Sequence, residues 1–233
     1  AEITPGGISR LSGHKGSVNM AAISQSMRAT GKSAVPRVYD HDLNAVKTDA
    51  EGRFEIIVSA ERPAGYTGEW WELQPATTSL FLRMVSSDWA REVDPKITIE
   101  RLDSLVEKTR PSAQQLEKKL RALPVATEFV AAIFIDHVEK LREAGFVNKL
   151  KILDVSKIGG LNGQFYYEGV YDLKDDEALI VEAKVPDECL YRSIILTTTL
   201  YETTDWHNNH SSLNGSQAES DSDGILRVVI SSE

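Results

Sequence analysis

Asp49-Ala50-Glu51-Gly52-Arg53-Phe54-Glu55-Ile56-Ile57-Val58 decides the fold class of this chain. The first four residues are turn formers, and after them Phe54, Ile56 and Val58 fall on alternate positions, separated by Glu55 and Ile57. A period of two with β-branched residues is the pattern of a half-buried strand. The same period recurs outward. Ile97 and Ile99 alternate with Thr98 and Glu100, and Ser79 to Val85 forms another apolar group. Upstream, Ile8 to Leu11 and Val18 to Ile23 are short apolar pieces separated by Gly13 and Gly16, which predicts a hairpin. This spacing of turns suits a sandwich rather than βαβ units.

The period then changes. Ser112 with Gln115 three residues on predicts an N-cap and capping box. Leu116, Leu120 and Leu123 share one face up to Pro124, which is expected to interrupt the helix. A second helix is predicted with Phe129, Val130, Ile133, Phe134, Val138 and Leu141, ending at Gly145. Both are amphipathic, so they should cover a sheet or each other. His137, on the apolar side, is expected to be a satisfied core residue. Beyond Gly145 the chain returns to strands at Gln164–Tyr171, Ala178–Ala183, Tyr191–Tyr201 and Ile225–Ile230. The polar stretch Glu202 to Gly224 shows no obvious element. The expected class is therefore mainly β with a helical segment (α+β), divided into a β-rich part at 1–108, a helical segment at 109–148 and a C-terminal part at 149–233.

The 233 residues carry 35 acidic against 26 basic side chains, a net charge of −9. That balance argues against binding a phosphate backbone or an anionic membrane surface. No stretch approaches the roughly 20 apolar residues of a membrane span. The start lacks a signal-peptide pattern, so a cytoplasmic location is the default expectation and the compartment is otherwise open. Cys189 is the one cysteine; it can form no internal disulfide and is expected to be buried as a small hydrophobe.

Two stretches carry candidate site residues. Asp205-Trp206-His207-Asn208-Asn209-His210, with Asp223 further on, holds the ligand types of a divalent metal such as zinc, iron or manganese. The alternative is a hydrogen-bonded loop in water. Tyr66, Trp70 and Trp71, with Trp89 following, can line a pocket and stack on a ring or sugar, or pack as core. No nucleophile elbow, Walker loop or dinucleotide fingerprint is present. The residues therefore favour a β-sandwich that binds a small molecule or a protein partner. The alternative is a metal-assisted hydrolase or oxidoreductase using His207 and His210.

From about Asn162 to Ser231 the chain resembles a bacterial family known as domain of unknown function 1214. The carrying residues are Gly169-Val170-Tyr171, Asp175 to Val181, Tyr201-Glu202-Thr203, Ser212-Leu213-Asn214, Ser216-Gln217-Ala218 and Asp221-Ser222-Asp223-Gly224 before Val228-Val229-Ile230. Ser59 to Pro63 and Ser87-Asp88-Trp89 are similar to the longer members. The resemblance implies a jelly-roll-like β-sandwich for the C-terminal part, and it implies no activity. Relatives continue past the position of Glu233, so the chain is expected to be a fragment truncated at both ends. A sheet edge would then be left for another chain, by oligomerisation or by pairing with the missing part.

Overall fold

A computed structural model describes residues 1–27, 39–104, 110–158 and 160–231. Strands dominate it, with one α-helix among the described residues. The chain divides into two compact units, Ala1–Glu107 with Asp154–Phe165, and Lys108–Leu153 with Tyr166–Glu233.

The first unit is a pair of sheets around one core. The strands are β1 (Ser9–His14), β2 (Met20–Met27), β3 (Tyr39–Asp42), β4 (Arg53–Ser59), β5 (Trp70–Glu72), β6 (Thr77–Val85) and β7 (Lys96–Arg101). One sheet has the order β5-β4-β1-β7 and the other β3-β2-β6. The period of two in β4 does what the sequence asks: Phe54, Ile56 and Val58 point into the core, with Leu11 from β1 and Ile23 and Leu80 from the opposite sheet. Ile57, on the other face of β4, is buried too.

The predicted hairpin between the first two apolar pieces does not form. β1 pairs with β4 and β7, whereas β2 pairs with β3 and β6. The link between them passes from one sheet to the other. Gly16, at φ 72°, lies so close to Val93 that a Cβ would come within 2.2 Å of its carbonyl oxygen. A crossing that tight admits only glycine.

The second unit carries α1 (Ala113–Glu143), a single helix of 31 residues rather than two. Pro124 sits inside it. Proline removes one backbone donor and crowds the preceding turn, yet Leu116–Leu123 before it is rich in strong helix formers and the helix runs through. Ser112 and Gln115 make the predicted capping box. The helix closes at Gly145 (φ 81°): its amide donates to Arg142 and that of Phe146 to Leu141. This is the six-to-one and five-to-two pattern of a glycine C-cap.

Beyond the helix stand β8 (Lys151–Asp154), β9 (Phe165–Glu168), β10 (Leu179–Lys184), β11 (Ser193–Ile195), β12 (Ser212–Asn214) and β13 (Ile225–Ile230). They form two-stranded pairs, of which β10–β13 and β11–β12 are antiparallel and lie in the second unit. The stretch after Glu202 is therefore not featureless, because Ser212–Asn214 pairs with Ser193–Ile195. A three-residue strand is too short to announce itself by periodicity. Cys189 is exposed, not buried; its Sγ lies 3.3 Å from the Tyr191 carbonyl in a turn where Leu190 also faces solvent.

The two units differ sharply in core. Among the described residues, the fully buried apolar side chains of the second unit are Val138 and Leu141, both from the last turns of α1.

Candidate functional site

The aromatic stretch is built into the first unit. Trp70 and Trp71 lie on β5, parallel to β4, with Ile57 opposite Trp70 and Val58 opposite Trp71. The Trp70 indole N–H donates to the buried Ser59 hydroxyl at 2.9 Å, and that hydroxyl donates to the Glu61 carbonyl. Trp71 packs against the core and stacks on His41, with ring centroids 4.7 Å apart and planes 5° from parallel. Behind them, Gln25 is 2% exposed and fully used. Its amide nitrogen lies 2.8 Å from both His41 Nε2 and the Glu72 carbonyl, and its oxygen accepts from the Gln74 amide and the Thr77 hydroxyl.

His41 Nε2 also lies 3.2 Å from the Glu72 carbonyl. Burial holds the His41 pKa below its ordinary value. Tyr66 folds over Gly68 in the turn before β5, where Arg62 donates to the carbonyls of both residues. Trp89 stands on a different loop, between β6 and β7, 58% exposed with its N–H on the Ser86 carbonyl. Three of the four aromatic candidates thus share one turn and strand, and the two central tryptophans have their polar or flat faces engaged inside the protein.

In the second candidate loop the carboxylates are also engaged. Asp205 accepts from the backbone and side-chain amides of Asn208, and these bonds, led by the side-chain one, hold its pKa low. Asp223 is gripped by Arg227 at 2.8 Å, and the same guanidinium binds Asp221 and Glu182. Hydrogen bonding by Arg227 keeps the Asp223 carboxyl ionised. His207 and His210 are exposed, with the His207 ring set edge-on to Trp206. Among the described residues no group of three or more His, Cys, Asp or Glu side chains is gathered in a way that could hold a metal ion. The four loop residues thus do not converge as one donor set.

A third cluster was not legible as a site. Glu168, at the end of β9, has a side chain only 10% exposed. Its Oε2 lies 3.0 Å from His137 Nε2 on α1 and accepts from the Tyr201 hydroxyl at 3.3 Å, while Oε1 is buried with no partner. Phe134, one turn before His137, stacks on the Tyr201 ring at 5.1 Å. Tyr201 itself has φ 59°, a conformation that L-residues with a Cβ avoid at a cost of about 1–2 kcal/mol. The turn that imposes it is closed by hydrogen bonds from Tyr201 to Thr198 and from Thr198 to Glu202. Burial first, and then the Glu168 charge, push the Tyr201 phenol up to about 12. Three residues separated by more than thirty positions along the chain leave no local motif to find.

The largest feature is the face of α1. Every residue from 111 to 130 is exposed, so among the described residues none of the first five turns of the helix is buried. Leu116, Leu120, Leu123 and Val130 are 46–64% exposed along one side, and Val125 and Phe129 are 68% and 66% exposed on the other. Downstream the same face continues as Phe134, Val138 and Leu141, and there it is covered. The strands of this unit show the same trait: Ile180 and Val229, directly opposite each other on β10 and β13, both face outward. No described helix is long and apolar enough to cross a membrane.

No known protein-family profile matches the chain. No curated protein matches it either. A solved structure of an uncharacterized protein from Burkholderia cenocepacia is similar over 100% of this chain, with a TM-score of 0.83 and 22% identity. The chain spans 64% of the length of that protein. At that identity the likeness speaks for the fold alone.

Proposed function

We propose that this protein is a partner-binding β protein whose first unit is a stable sandwich and whose second unit docks another polypeptide along α1. One observation carries the reading: five helical turns bearing Leu116, Leu120, Leu123 and Val130 are exposed in the described structure. Most helical stability in proteins comes from packing an apolar face rather than from propensity. Exposed contiguous apolar surface of this kind marks interaction sites. The thin core of the second unit, Val138 and Leu141, supports the same reading, because a unit that small and that open lacks the burial to hold itself.

The finer architecture belongs to this proposal. The antiparallel pairs β10–β13 and β11–β12 are taken as parts of a jelly-roll-like sandwich of the family that the sequence resembles, with Ile180 and Val229 on a face awaiting cover. A small-molecule role for Tyr66 and Trp89 is a lesser reading, since Trp70 and Trp71 are consumed by Ser59 and His41.

The test replaces Leu116, Leu120 and Leu123 with Gln together and compares the variant with the parent in binding of an apolar fluorescent dye and in sedimentation. The parent should bind dye, or associate, through this face. The variant should lose both while melting with the parent, because no described neighbour packs on those side chains. A variant that matches the parent in dye binding and in sedimentation removes the reading.

A further inference from the structure

Glu168 sets a buried carboxylate against a histidine from α1 and a phenol from the turn after β11, all within the second unit. Hydrogen bonding explains one of its oxygens and not the other. Oε2 meets His137 Nε2 and the Tyr201 hydroxyl, while Oε1 is buried and has no partner among the described residues. A carboxylate oxygen hidden from water and bonded to nothing is destabilising, and such groups in native folds call for an occupant.

Spacing points to the kind of occupant. Two ligands in neighbouring positions on a first-row metal ion, each about 2.1 Å from it, stand about 3.0–3.4 Å apart. The separations around Oε2, 3.0 Å to His137 and 3.3 Å to Tyr201, fall in that range. An ion shared by both carboxylate oxygens would also give Oε1 its partner. The phenol is what makes up this set, since His, Cys, Asp and Glu side chains alone gather no such group among the described residues. Phe134 stacks on the phenol ring and holds it in place. The His137 side chain is 35% exposed and Tyr201 38% exposed, which leaves a way in from solvent.

The donors select the ion as well. A carboxylate and a phenolate bring two negative charges and hard oxygen ligands, and imidazole suits iron among the metals that accept them. In the ion-free protein the Tyr201 phenol, pushed up to about 12, keeps its proton at neutral pH. Binding has to displace that proton, and a highly charged cation does so. We infer that Glu168, His137 and Tyr201 form a binding site for a hard transition-metal cation, ferric iron above all. The phenol proton is released to solvent, and the His137 proton sits on Nδ1 while Nε2 binds the ion. The site is independent of the partner-binding reading, which rests on the opposite end of α1.

Titrating the full chain with ferric nitrilotriacetate tests it by colour, because a phenolate bound to ferric iron absorbs visible light by charge transfer. The parent should develop a visible band that saturates at about one ion per chain. Tyr201→Phe keeps the ring on Phe134 and removes only the oxygen, so it should lose the band. Glu168→Gln should weaken binding by about tenfold or more in the same titration, with circular dichroism matching the parent. His207→Ala with His210→Ala should leave the band unchanged. A parent without a band overturns the site. So does a band that persists in Tyr201→Phe, or one that disappears with His207 and His210. Iron that binds the parent and Tyr201→Phe alike without colour is an adventitious ion only, and it also overturns the site. None of these outcomes touches the dye and sedimentation test of the Leu116, Leu120 and Leu123 variant.

Discussion

Tyr201 pays for its contacts in backbone strain, and its position explains why. Only a left-handed residue at the end of the Thr198–Glu202 turn carries the ring back over Phe134 and the hydroxyl onto Glu168. The phenol is held up to about 12, against about 10 in an unfolded chain. A group whose folded pKa is raised contributes stability that is complete below the unfolded value and is lost as pH climbs through the folded one. The protein should therefore lose stability between about pH 10 and 12, and Tyr201→Phe should flatten that limb, as followed by chemical denaturation across the alkaline range. At neutral pH the same change should cost about 0.5–1.5 kcal/mol for the lost hydrogen bond. An unchanged alkaline limb in the variant would mean that other groups set it. At this scale the sequence is a partial guide. His137 was expected to be a satisfied core residue; it does pair with Glu168 but keeps its side chain 35% exposed, and Glu168 was not legible, because contact across thirty positions depends on the turn geometry of an intervening stretch.

At the scale of elements, α1 is the informative case. Its start at the Ser112–Gln115 capping box and its stop at Gly145 follow from residue types whose backbone bonding is local. The break expected at Pro124 does not occur, because the helix continues on both sides of the lost backbone bond. The proline still weakens the uncovered part. Pro124→Ala should raise the stability of that segment by about 1–3 kcal/mol, read as slower amide exchange for residues 113–130. Exchange as fast as in the parent would show that cover from a neighbour, and not propensity, sets the order of this segment. The strands divide in the same way. β4, β6, β7, β10 and β13 carry periods long enough to recognise, while β12 is three residues long and exists through its pairing with β11. Which strands pair was not legible either. The first two apolar pieces resemble a hairpin locally, and only the sharing of the core between two sheets separates them.

For the whole molecule, the period of two in the first unit marked β structure correctly, because β1, β2, β4 and β6 send Leu11, Ile23, Ile56 and Leu80 into one core. The second unit offers less to read, since its apolar residues are not yet sorted into inside and outside by burial. Leu120, Ile180, Tyr167 and Val229 look like core in the sequence and face solvent in the fold. The candidate metal loop failed to gather for a related reason: its carboxylates find amide and guanidinium partners nearby, and these satisfy them without an ion.

The bare stretch of α1 also decides how long an unaccompanied copy would survive among proteases. Cleavage follows local opening, and the segments that open most easily are those with the fewest packed neighbours. Lys118, Lys119 and Arg121 sit in the middle of such a segment. Brief trypsin treatment of dilute protein should therefore cut there before it cuts at Lys15 or Arg53, basic residues set among the strands of the sandwich, and mass spectrometry of the first fragments would show it. A first cut inside the first unit would count against the idea. The exposed helix would then serve as a timer, marking solitary copies for removal and falling silent once they are joined.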